Sequence, residues 1–208
     1  MQYPKGSRQS SHIKRNRKNT QKHQTKDAYA NRGMTLEKDI NDTNKYYLES
    51  GKAVIHKKPT PIQVVDVDYP KRSAAVIKEA YYRRPSTTDF NGLYQGRHID
   101  FEAKETKNKQ SLPLSNIHNH QVEHMKRIHD HGGISFLIVR FSNMNETFLL
   151  PLSHFLSIWN EQENGGRKSI PYPYIAEHGF VIPFRLQAKV DYLQVIDDVY
   201  FTEENNYE

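Results

Sequence analysis

The stretch TTDFNGLYQGRHIDFEAKET, Thr87–Thr106, predicts two antiparallel strands joined by a tight turn. Its two runs, at about 88–94 and 97–104, alternate apolar and polar residues in the manner of half-buried strands. Gln95 and Gly96 lie between the runs, and a glycine there allows the backbone to reverse. We therefore take this strand pair as the centre of the fold.

Strand periodicity gathers three ionisable side chains on one face of the second strand. Successive residues of a strand point to opposite faces, so Asp100, Glu102 and Lys104 share a face. The apolar residues between them then face the packed side. Residues two apart on a strand are about 7 Å apart, and Asp89 on the first strand reaches the same place across the turn.

Two carboxylates that converge beside a lysine are a tool set for hydrolysing a phosphodiester bond. Hard carboxylate oxygens with an open coordination sphere suit Mg²⁺, which keeps water ligands and binds substrate phosphate. The metal can activate a water, and Lys104 can stabilise a phosphorane-like transition state or orient that water. The alternative is that Glu102 and Lys104 form a surface ion pair, which contributes little to stability.

Outward from this centre, helices and strands alternate, which predicts an α/β domain. One predicted helix covers 35–49 with Thr35 as its N-cap, another covers about 116–131 and ends at Gly132-Gly133, and Ser153 caps a third. The remaining predicted elements are strands at 53–58, 134–141 and 146–152, and a closing helix or strand at 191–201. The run at 134–141 is apolar throughout, as a strand buried on both faces would be.

The segment 58–88 is bounded by prolines and predicts an insertion that projects from the domain. Pro59 and Pro61 open it and Pro85 closes it, and proline interrupts both sheet ladders and helices. Within the insertion the β-branched run 62–67 predicts a strand, whereas 73–80 is compatible with a helix.

Residues 1–32 carry nine Lys/Arg and one acid, in a chain whose total net charge is +6. The segment is nearly empty of large aliphatic residues. It cannot bury enough apolar surface to offset the entropy of ordering, so we predict that it is disordered. One interpretation is a basic arm that releases counterions from nucleic-acid phosphates. The other is a solvated tail that aids solubility.

Composition and motifs argue against several classes of function. The chain has no cysteine, which excludes disulfides, thiolate nucleophiles and cysteine-ligated zinc. No apolar run is long enough to span a membrane, and the first residues lack the apolar region of a secretory signal. No Walker-type loop or G-x-S-x-G motif is present, so ATP-driven activity and acyl hydrolysis are not indicated.

The run IHNHQVEH, 117–124, places two histidines at i and i+4, a spacing that suits a zinc pair on a helix. No third zinc ligand is in place. We therefore interpret His118, His120 and His124 as residues that flank the site or contact phosphate.

The spacing D-x(12)-E-x-K, from Asp89 to Lys104, is similar to the signature of the PD-(D/E)xK, or restriction-endonuclease-like, superfamily. More closely, RGMTLEKDI, IHKKPTPIQVV, YPKRS, PSTTDFNG, IDFEAKETKNK and IHNHQVEHM resemble the RecU Holliday junction resolvases of Gram-positive bacteria. The resemblance implies an α/β fold with a mixed central sheet flanked by helices. It also implies a disordered basic arm at 1–32 and a nuclease domain at 33–208, with a stalk insertion at about 59–84.

The resemblance further implies the residues of the active site. The implied metal ligands are Thr87, Asp89, Glu102 and Gln121. Lys104 is the implied transition-state stabiliser, and Glu37 on the first helix is a further acid. The sequence departs from the superfamily pattern in one respect, because Thr88 rather than proline precedes Asp89.

The implied DNA-contacting residues lie in the arm, at the stalk base and along the stalk; they are Arg32, Lys57, Lys58, Lys71, Arg72, Tyr81, Tyr82, Arg83 and Arg84. The basic side chains would contact phosphates, with Lys57 and Lys58 near the scissile phosphate. Tyr81 and Tyr82 either stack on unpaired bases or pack the base of the stalk.

As a whole, the resemblance implies a homodimer that nicks two opposed strands of a four-way DNA junction, leaving 5′-phosphate and 3′-hydroxyl ends. The implied cofactor is Mg²⁺, with Mn²⁺ as a substitute. A RecA-type recombinase and a branch-migration helicase are the implied partners in recombination and repair, in the bacterial cytoplasm at the nucleoid and not at a membrane. Two alternatives stay open: another PD-(D/E)xK DNA nuclease, and a non-catalytic DNA-bridging regulator of the recombinase.

Overall fold

The computed structural model describes residues 35–83 and 87–202, apart from the side chains of Arg72 and Glu163. The helices in this part of the chain are α1 (Leu36–Glu49), α2 (Asn119–Asp130), α3 (Leu152–Glu163), α4 (Tyr172–His178) and α5 (Tyr192–Ile196), with a π-helical turn at Asp197–Phe201. The strands are β1 (Val54–Lys57), β2 (Ile62–Asp68), β3 (Val76–Tyr82), β4 (Phe90–Tyr94), β5 (Arg97–Thr106), β6 (Ser111–Pro113), β7 (Ile134–Phe141), β8 (Glu146–Pro151), β9 (Ser169–Pro171) and β10 (Phe180–Val181).

A six-stranded mixed sheet forms the centre of the described residues, in the order β1-β4-β5-β7-β8-β10. Strands β5 and β7 are parallel and the other neighbours are antiparallel. Parallel neighbours need a long crossover connection, and here α2 lies within it. The mixed central sheet with helices in the connections confirms the predicted α/β fold class.

Helices cover both faces of the central sheet. On one face, α1 and α5 pack against the apolar side chains of β4 and β5 and alternate residues of β7. On the other face, α2, α3 and α4 pack against the remaining residues of β7 and against β8. Strand β7 is therefore buried on both faces, as its continuous apolar run predicts.

A stack of three aromatic rings fixes the register of the central strands. Phe90 pairs with Phe101 across β4 and β5, and Phe101 pairs with Phe136 across β5 and β7. Both ring pairs are stacked with centroids 4.9 Å apart. Because a slip of one residue would turn every side chain to the opposite face, this stack also fixes which face of β5 carries its polar residues.

The turn predicted at Gln95-Gly96 is present, with φ values of 45° and 74° at the two residues. Positive φ at both central residues is the geometry of a tight hairpin turn that matches strand twist. The N-cap predicted for α1 is also present, since Thr35 Oγ1 accepts a hydrogen bond of 3.3 Å from Lys38 N. The sequence was sufficient to predict this turn and this N-cap because each depends on only a few neighbouring residues.

Three local predictions were wrong or inexact. The run 73–80 is not an α-helix: its first two residues belong to a 3₁₀ turn at Arg72–Ala74, and Val76–Tyr82 forms β3 and pairs with β2, which overrides the helical propensity. Helix α2 begins at Asn119 because a 3₁₀ turn occupies Leu114–Asn116. Ser153 is not the cap of α3, which begins at Leu152 directly after Pro151.

Strands β2 and β3 form a separate two-stranded hairpin within the predicted insertion. Its register runs from Ile62 opposite Tyr82 to Asp68 opposite Val76. The side chains of both strands are exposed, with Val67 alone among the described residues of these strands half-buried. The predicted arm at 1–32 lies outside the described residues.

Helices long and apolar enough to cross a membrane are absent from the described ranges 35–83 and 87–202.

We expect Gly92→Ala to destabilise the fold by about 3 kcal/mol or more, the upper range of overpacking effects. A Cβ at residue 92 would lie 2.0 Å from Val54 O and 2.5 Å from Ile55 Cα, so β1 could not approach β4 as it does. Urea unfolding measures the change. The neighbouring Leu93→Ala, at a half-exposed position, is the control, and equal midpoints for the two variants would contradict the argument.

Candidate active site

The polar face of β5 is deeply buried. The side chains of Asp100 and Glu102 are both fully excluded from solvent, and that of Lys104 is 18% exposed. This face lies on the side of the sheet that α2 covers, because the opposite face of β5 carries the aromatic stack. The sequence correctly places the three residues together, and the structure adds that both carboxylates are dry.

Glu102 has one oxygen engaged and one that is incompletely satisfied. Its Oε2 accepts a hydrogen bond of 3.1 Å from the backbone N–H of Asp89. Lys104 Nζ lies 2.8 Å from Oε1, yet within the described part of the chain this buried oxygen accepts no hydrogen bond of normal geometry. A buried carboxylate oxygen with spare acceptor capacity is suited to a cation.

Burial raises the pKa of Glu102 from 4.5 to about 7, because a dry environment disfavours the charged form. The positive charge of Lys104 lowers the pKa, and the neighbouring Asp89 carboxylate raises it again. A cation bound beside Glu102 would favour its charged form. With a pKa of about 7, the carboxyl group of Glu102 titrates near neutral pH in the metal-free folded chain.

Asp100 differs from Glu102 because donors reach both of its oxygens. Lys58 Nζ lies 2.8 Å from Oδ2 and His124 Nε2 lies 3.2 Å from the same oxygen, while Thr88 donates to Oδ1. Sequence reasoning placed Asp100 on the polar face but gave it no role. The signal in the sequence was that Asp100 lies two residues before Glu102 and shares its strand face. Only the structure shows that the two carboxylates have different partners.

Asp89 and Thr87 lie half-buried just before β4, on the wall of a cleft of about 390 Å³. The cleft is lined by Glu37, Lys57, Lys58, Pro59, Thr60, Pro61, Thr87, Thr88 and Asp89. The backbone N–H of Asp89 binds Glu102, and its carbonyl accepts a hydrogen bond of 2.7 Å from Lys58 N. The structure thus brings the first predicted carboxylate beside the second.

Gln121 and Glu37, two further predicted site residues, are both engaged by protein groups. Gln121 is buried near the start of α2, and its Oε1 accepts a hydrogen bond of 3.0 Å from His118 N. An amide oxygen has two lone pairs, so one lone pair is left for a metal or water. Glu37 lies on the cleft wall and forms an ion pair of 2.6 Å with Lys57.

Among the predicted DNA-contacting residues, Lys58 points into the protein, whereas Tyr81 and Tyr82 are exposed on the hairpin. Lys58 lines the cleft, but its ammonium turns inward, where it pairs with Asp100 at 2.8 Å and donates to Thr88 Oγ1 at 3.0 Å, so it is engaged by two protein groups. Tyr81 and Tyr82 are 60% and 84% exposed, which rules out packing of both rings in the base of the hairpin.

Two further basic residues of that list, Lys71 and Arg83, lie on or beside the hairpin. Lys71 and Arg83 are exposed, and Arg83 Nη2 donates to Gln63 Oε1 at 2.9 Å. Arg32, Arg84 and the side chain of Arg72 lie outside the described residues.

The predicted ligands have donor types that fit a hard divalent cation. Carboxylates from Asp89 and Glu102, a hydroxyl from Thr87 and an amide oxygen from Gln121 are oxygen ligands of the kind Mg²⁺ prefers. Clusters of three or more His, Cys, Asp or Glu side chains with metal-binding geometry are absent from the described ranges. The fit therefore depends on two carboxylates, neutral oxygens and water.

Among the described residues, the histidines of the IHNHQVEH run belong to no group of three or more possible metal ligands. The rings of His118 and His120 stack on each other with centroids 5.4 Å apart. His124 contacts Asp100, with Nε2 3.2 Å from Oδ2, so this one of the three histidines lies beside the polar face of β5.

We expect the metal-free protein to lose stability as the pH rises from 4.5 to 7. Glu102 binds its proton more tightly in the folded chain than in the unfolded chain, so its contribution is present at low pH and is lost through its folded pKa of about 7. Glu102→Gln removes this contribution. Between pH 5 and 8, wild type should therefore lose roughly 2 kcal/mol more than the variant in urea unfolding with EDTA.

Glu49→Gln controls for the loss of a carboxylate at the surface, where Glu49 forms only an exposed pair with Lys45. Parallel pH curves for wild type and Glu102→Gln would show that Glu102 does not titrate in this range.

Comparison with known proteins places this chain in a family. The model of the family described as "RecU: Recombination protein U" matches residues 31–198. The chain is 64% identical over 174 residues to the Holliday junction resolvase RecU of Geobacillus kaustophilus, covering 84% of this chain and 87% of that one. It is 51% identical over 202 residues to the protein of that name from Bacillus mycoides, covering 97% and 99%.

A solved structure, that of the Holliday junction resolvase Hjc from Archaeoglobus fulgidus, matches with a TM-score of 0.38 and 10% identity. The match covers 66% of this chain and 91% of that one. The family model matches most of the chain, and the two relatives are more than 50% identical over most of their length. This chain belongs to the RecU family.

Proposed function

We propose that this protein is a Mg²⁺-dependent endonuclease that resolves four-way DNA junctions by paired, symmetric nicks. The observation that carries the proposal is the arrangement of Glu102, which is buried beside Asp89 and Lys104 and whose Oε1 has the Lys104 ammonium, 2.8 Å away, as its one described polar partner. Relatives that are 64% and 51% identical are named Holliday junction resolvases, which supports a junction as the substrate.

In this proposal Glu102 and Asp89 supply the anionic ligands, and Thr87 and Gln121 supply neutral oxygens directly or through water. When bound, Mg²⁺ would activate a water and neutralise charge on the scissile phosphate; Mn²⁺ would substitute. Nicks formed by an attacking water would leave 5′-phosphate and 3′-hydroxyl ends. Glu37, on the wall of the same cleft, is a further acid that would orient water.

Lys104 has two roles in the proposed mechanism. Its ammonium lies 2.8 Å from Glu102 and lowers the pKa of that carboxyl, which favours the charged form that a metal requires. It is also partly exposed, so the same positive charge can stabilise negative charge that develops on the scissile phosphate. A methionine at this position would keep much of the side-chain volume and lose both effects.

We propose that the β2–β3 hairpin enters the open centre of the junction. Exposed aromatic rings at Tyr81 and Tyr82 are suited to stacking on unpaired bases, and the exposed ammonium of Lys71 is suited to phosphate contact. Arg72, Arg83 and Arg84 would add charge along the hairpin. The basic arm at 1–32, with Arg32 at its end, and Lys57 at the hairpin base would contact the DNA backbone.

Two opposed strands of a four-way junction are related by two-fold symmetry, so we propose a homodimer with one active site per subunit. We place the protein in DNA recombination and repair in the bacterial cytoplasm, at the nucleoid. A RecA-type recombinase and a branch-migration helicase are the proposed partners. Another DNA nuclease of the same superfamily, or a DNA-bridging regulator without catalysis, are the alternatives that the experiments below separate.

We expect wild type with Mg²⁺ to cut a synthetic four-way junction into paired nicked duplexes, and EDTA to abolish the reaction. Glu102→Gln should reduce the rate on the order of a thousandfold, the effect of removing one preorganised electrostatic group. Single-turnover cleavage on denaturing gels measures the rates, with a matched linear duplex as the competing substrate.

Glu49→Gln is the matched control for this assay and should cut at the wild-type rate. Equal cutting of junction and duplex would favour another nuclease of the superfamily. Tight junction binding without cutting in any divalent metal would favour the bridging regulator.

We expect replacement of residues 62–82 by a two-residue Gly-Ser linker to abolish junction cleavage and leave metal binding intact. Ile62 and Tyr82 are paired at the hairpin base, so a short linker can join the remaining ends without displacing the sheet. Mn²⁺ titration followed by electron paramagnetic resonance confirms that the site is present. Junction-selective cleavage by the shortened chain would show that the hairpin does not select the substrate.

A further inference from the structure

Both ends of the hairpin insertion are tied to one buried carboxylate. The chain leaves the sheet at Lys58 and returns through Thr88 to β4, and the side chains of both residues donate to Asp100. Lys58 Nζ also donates to Thr88 Oγ1 at 3.0 Å, which closes a three-membered network. The two points where the insertion meets the sheet are thus linked to each other and to β5.

Asp100 is fully buried, and a dry carboxylate is costly unless each oxygen has donors. Here Lys58 donates to Oδ2, His124 Nε2 lies 3.2 Å from the same oxygen, and Thr88 donates to Oδ1. Its neighbour on the same face, Glu102, has one oxygen whose described polar partner is the Lys104 ammonium alone, at 2.8 Å and without normal hydrogen-bond geometry. The two carboxylates therefore have different tasks: Glu102 is available to a cation, and Asp100 is committed to the protein.

The network holds in place the segment 87–89, which carries the proposed metal ligands Thr87 and Asp89. Residues 87–89 precede β4 and form no part of its strand ladder. Asp89 is held by its N–H on Glu102 and by its carbonyl, which accepts from Lys58 N at 2.7 Å. Lys58 thus holds this segment twice, through its backbone at Asp89 and through its ammonium at Thr88.

The same carboxylate also reaches the helix that carries a third proposed ligand. His124 Nε2 lies 3.2 Å from Asp100 Oδ2. His124 is three residues after Gln121 on α2, so the two side chains lie on the same side of the helix. Asp100 therefore contacts three parts of the chain that supply or flank ligands: the end of β1, the segment before β4, and α2.

We propose that Asp100 is a positioning residue for the metal site, and that Lys58 acts in this network rather than as a clamp on DNA. The inference rests on the proposed function for the identity of the metal ligands. Without the Asp100 carboxylate, the segment 87–89 and the start of α2 would lose the contact that sets them against Glu102. Asp100 itself does not touch the metal or the substrate.

The test measures Mn²⁺ affinity without DNA, by electron paramagnetic resonance titration of the full chain at pH 8. Asp100→Asn keeps the size of the side chain but removes the negative charge. It also replaces one carboxylate oxygen with an NH₂ group, which cannot accept a hydrogen bond from Lys58 or Thr88. It should weaken Mn²⁺ binding about 10- to 100-fold, the effect found when residues behind metal ligands are changed. Thr88→Val removes one donor without changing volume, and should weaken binding roughly tenfold.

Cleavage provides a second readout. Both variants should lower the single-turnover rate on the junction at saturating protein, and bind the junction in EDTA with wild-type affinity. Loss of junction affinity with an unchanged rate would assign Lys58 and its network to DNA binding and overturn the proposal. Wild-type Mn²⁺ affinity in both variants would also overturn it.

Asp39→Asn is the matched control, because Asp39 is a buried carboxylate in an ion pair of 2.6 Å with Arg140, outside this network. It should lose stability and keep wild-type Mn²⁺ affinity; a similar loss of affinity would mean that any weakened fold binds metal poorly, and would overturn the proposal. If Asp100→Asn does not fold, Thr88→Val decides alone. A wild type that binds Mn²⁺ but cuts no junction would remove the proposed function, while the variants would still test the positioning role.

Discussion

The site depends on one constraint: strand β5 buries two carboxylates on one face while its other face packs an aromatic core. Neither Asp100 nor Glu102 has any exposure, so each must find compensation inside the protein. Asp100 is compensated by Lys58, Thr88 and His124. Glu102 is compensated only in part, by Lys104 and the Asp89 backbone, and its raised pKa expresses the deficit.

This difference joins the fold to the proposed chemistry. The stack of Phe90, Phe101 and Phe136 fixes the register of β5, and the register points both carboxylates toward α2. A cation beside Glu102 would compensate the negative charge of this buried carboxylate. Because the compensation of Asp100 comes from the two ends of the hairpin insertion, the part of the chain proposed to enter the junction is anchored next to the metal ligands.

Strand periodicity and turn chemistry were enough to predict much of this arrangement. The Gln95-Gly96 turn, the buried run 134–141 and the shared face of Glu102 and Lys104 are local patterns, and the structure contains them. The contacts of Lys58 with Asp100 and Thr88 span 42 and 30 residues, so no local pattern could indicate that this lysine turns inward. The run 73–80 failed for a similar reason, because its strand pairing depends on a partner earlier in the chain.

The most direct test of the account is the position of a bound metal. A crystal grown at pH 8 and soaked in Mn²⁺ gives an anomalous map in which the ion is located independently of any model. The account predicts a peak within coordinating distance of Glu102 Oε1 and the Asp89 carboxylate, about 2.0–2.2 Å as for hard divalent ions, with Asp100 still bound to Lys58. A peak on Asp100 or His124, or Lys58 released from Asp100 with the ion in its place, would contradict it.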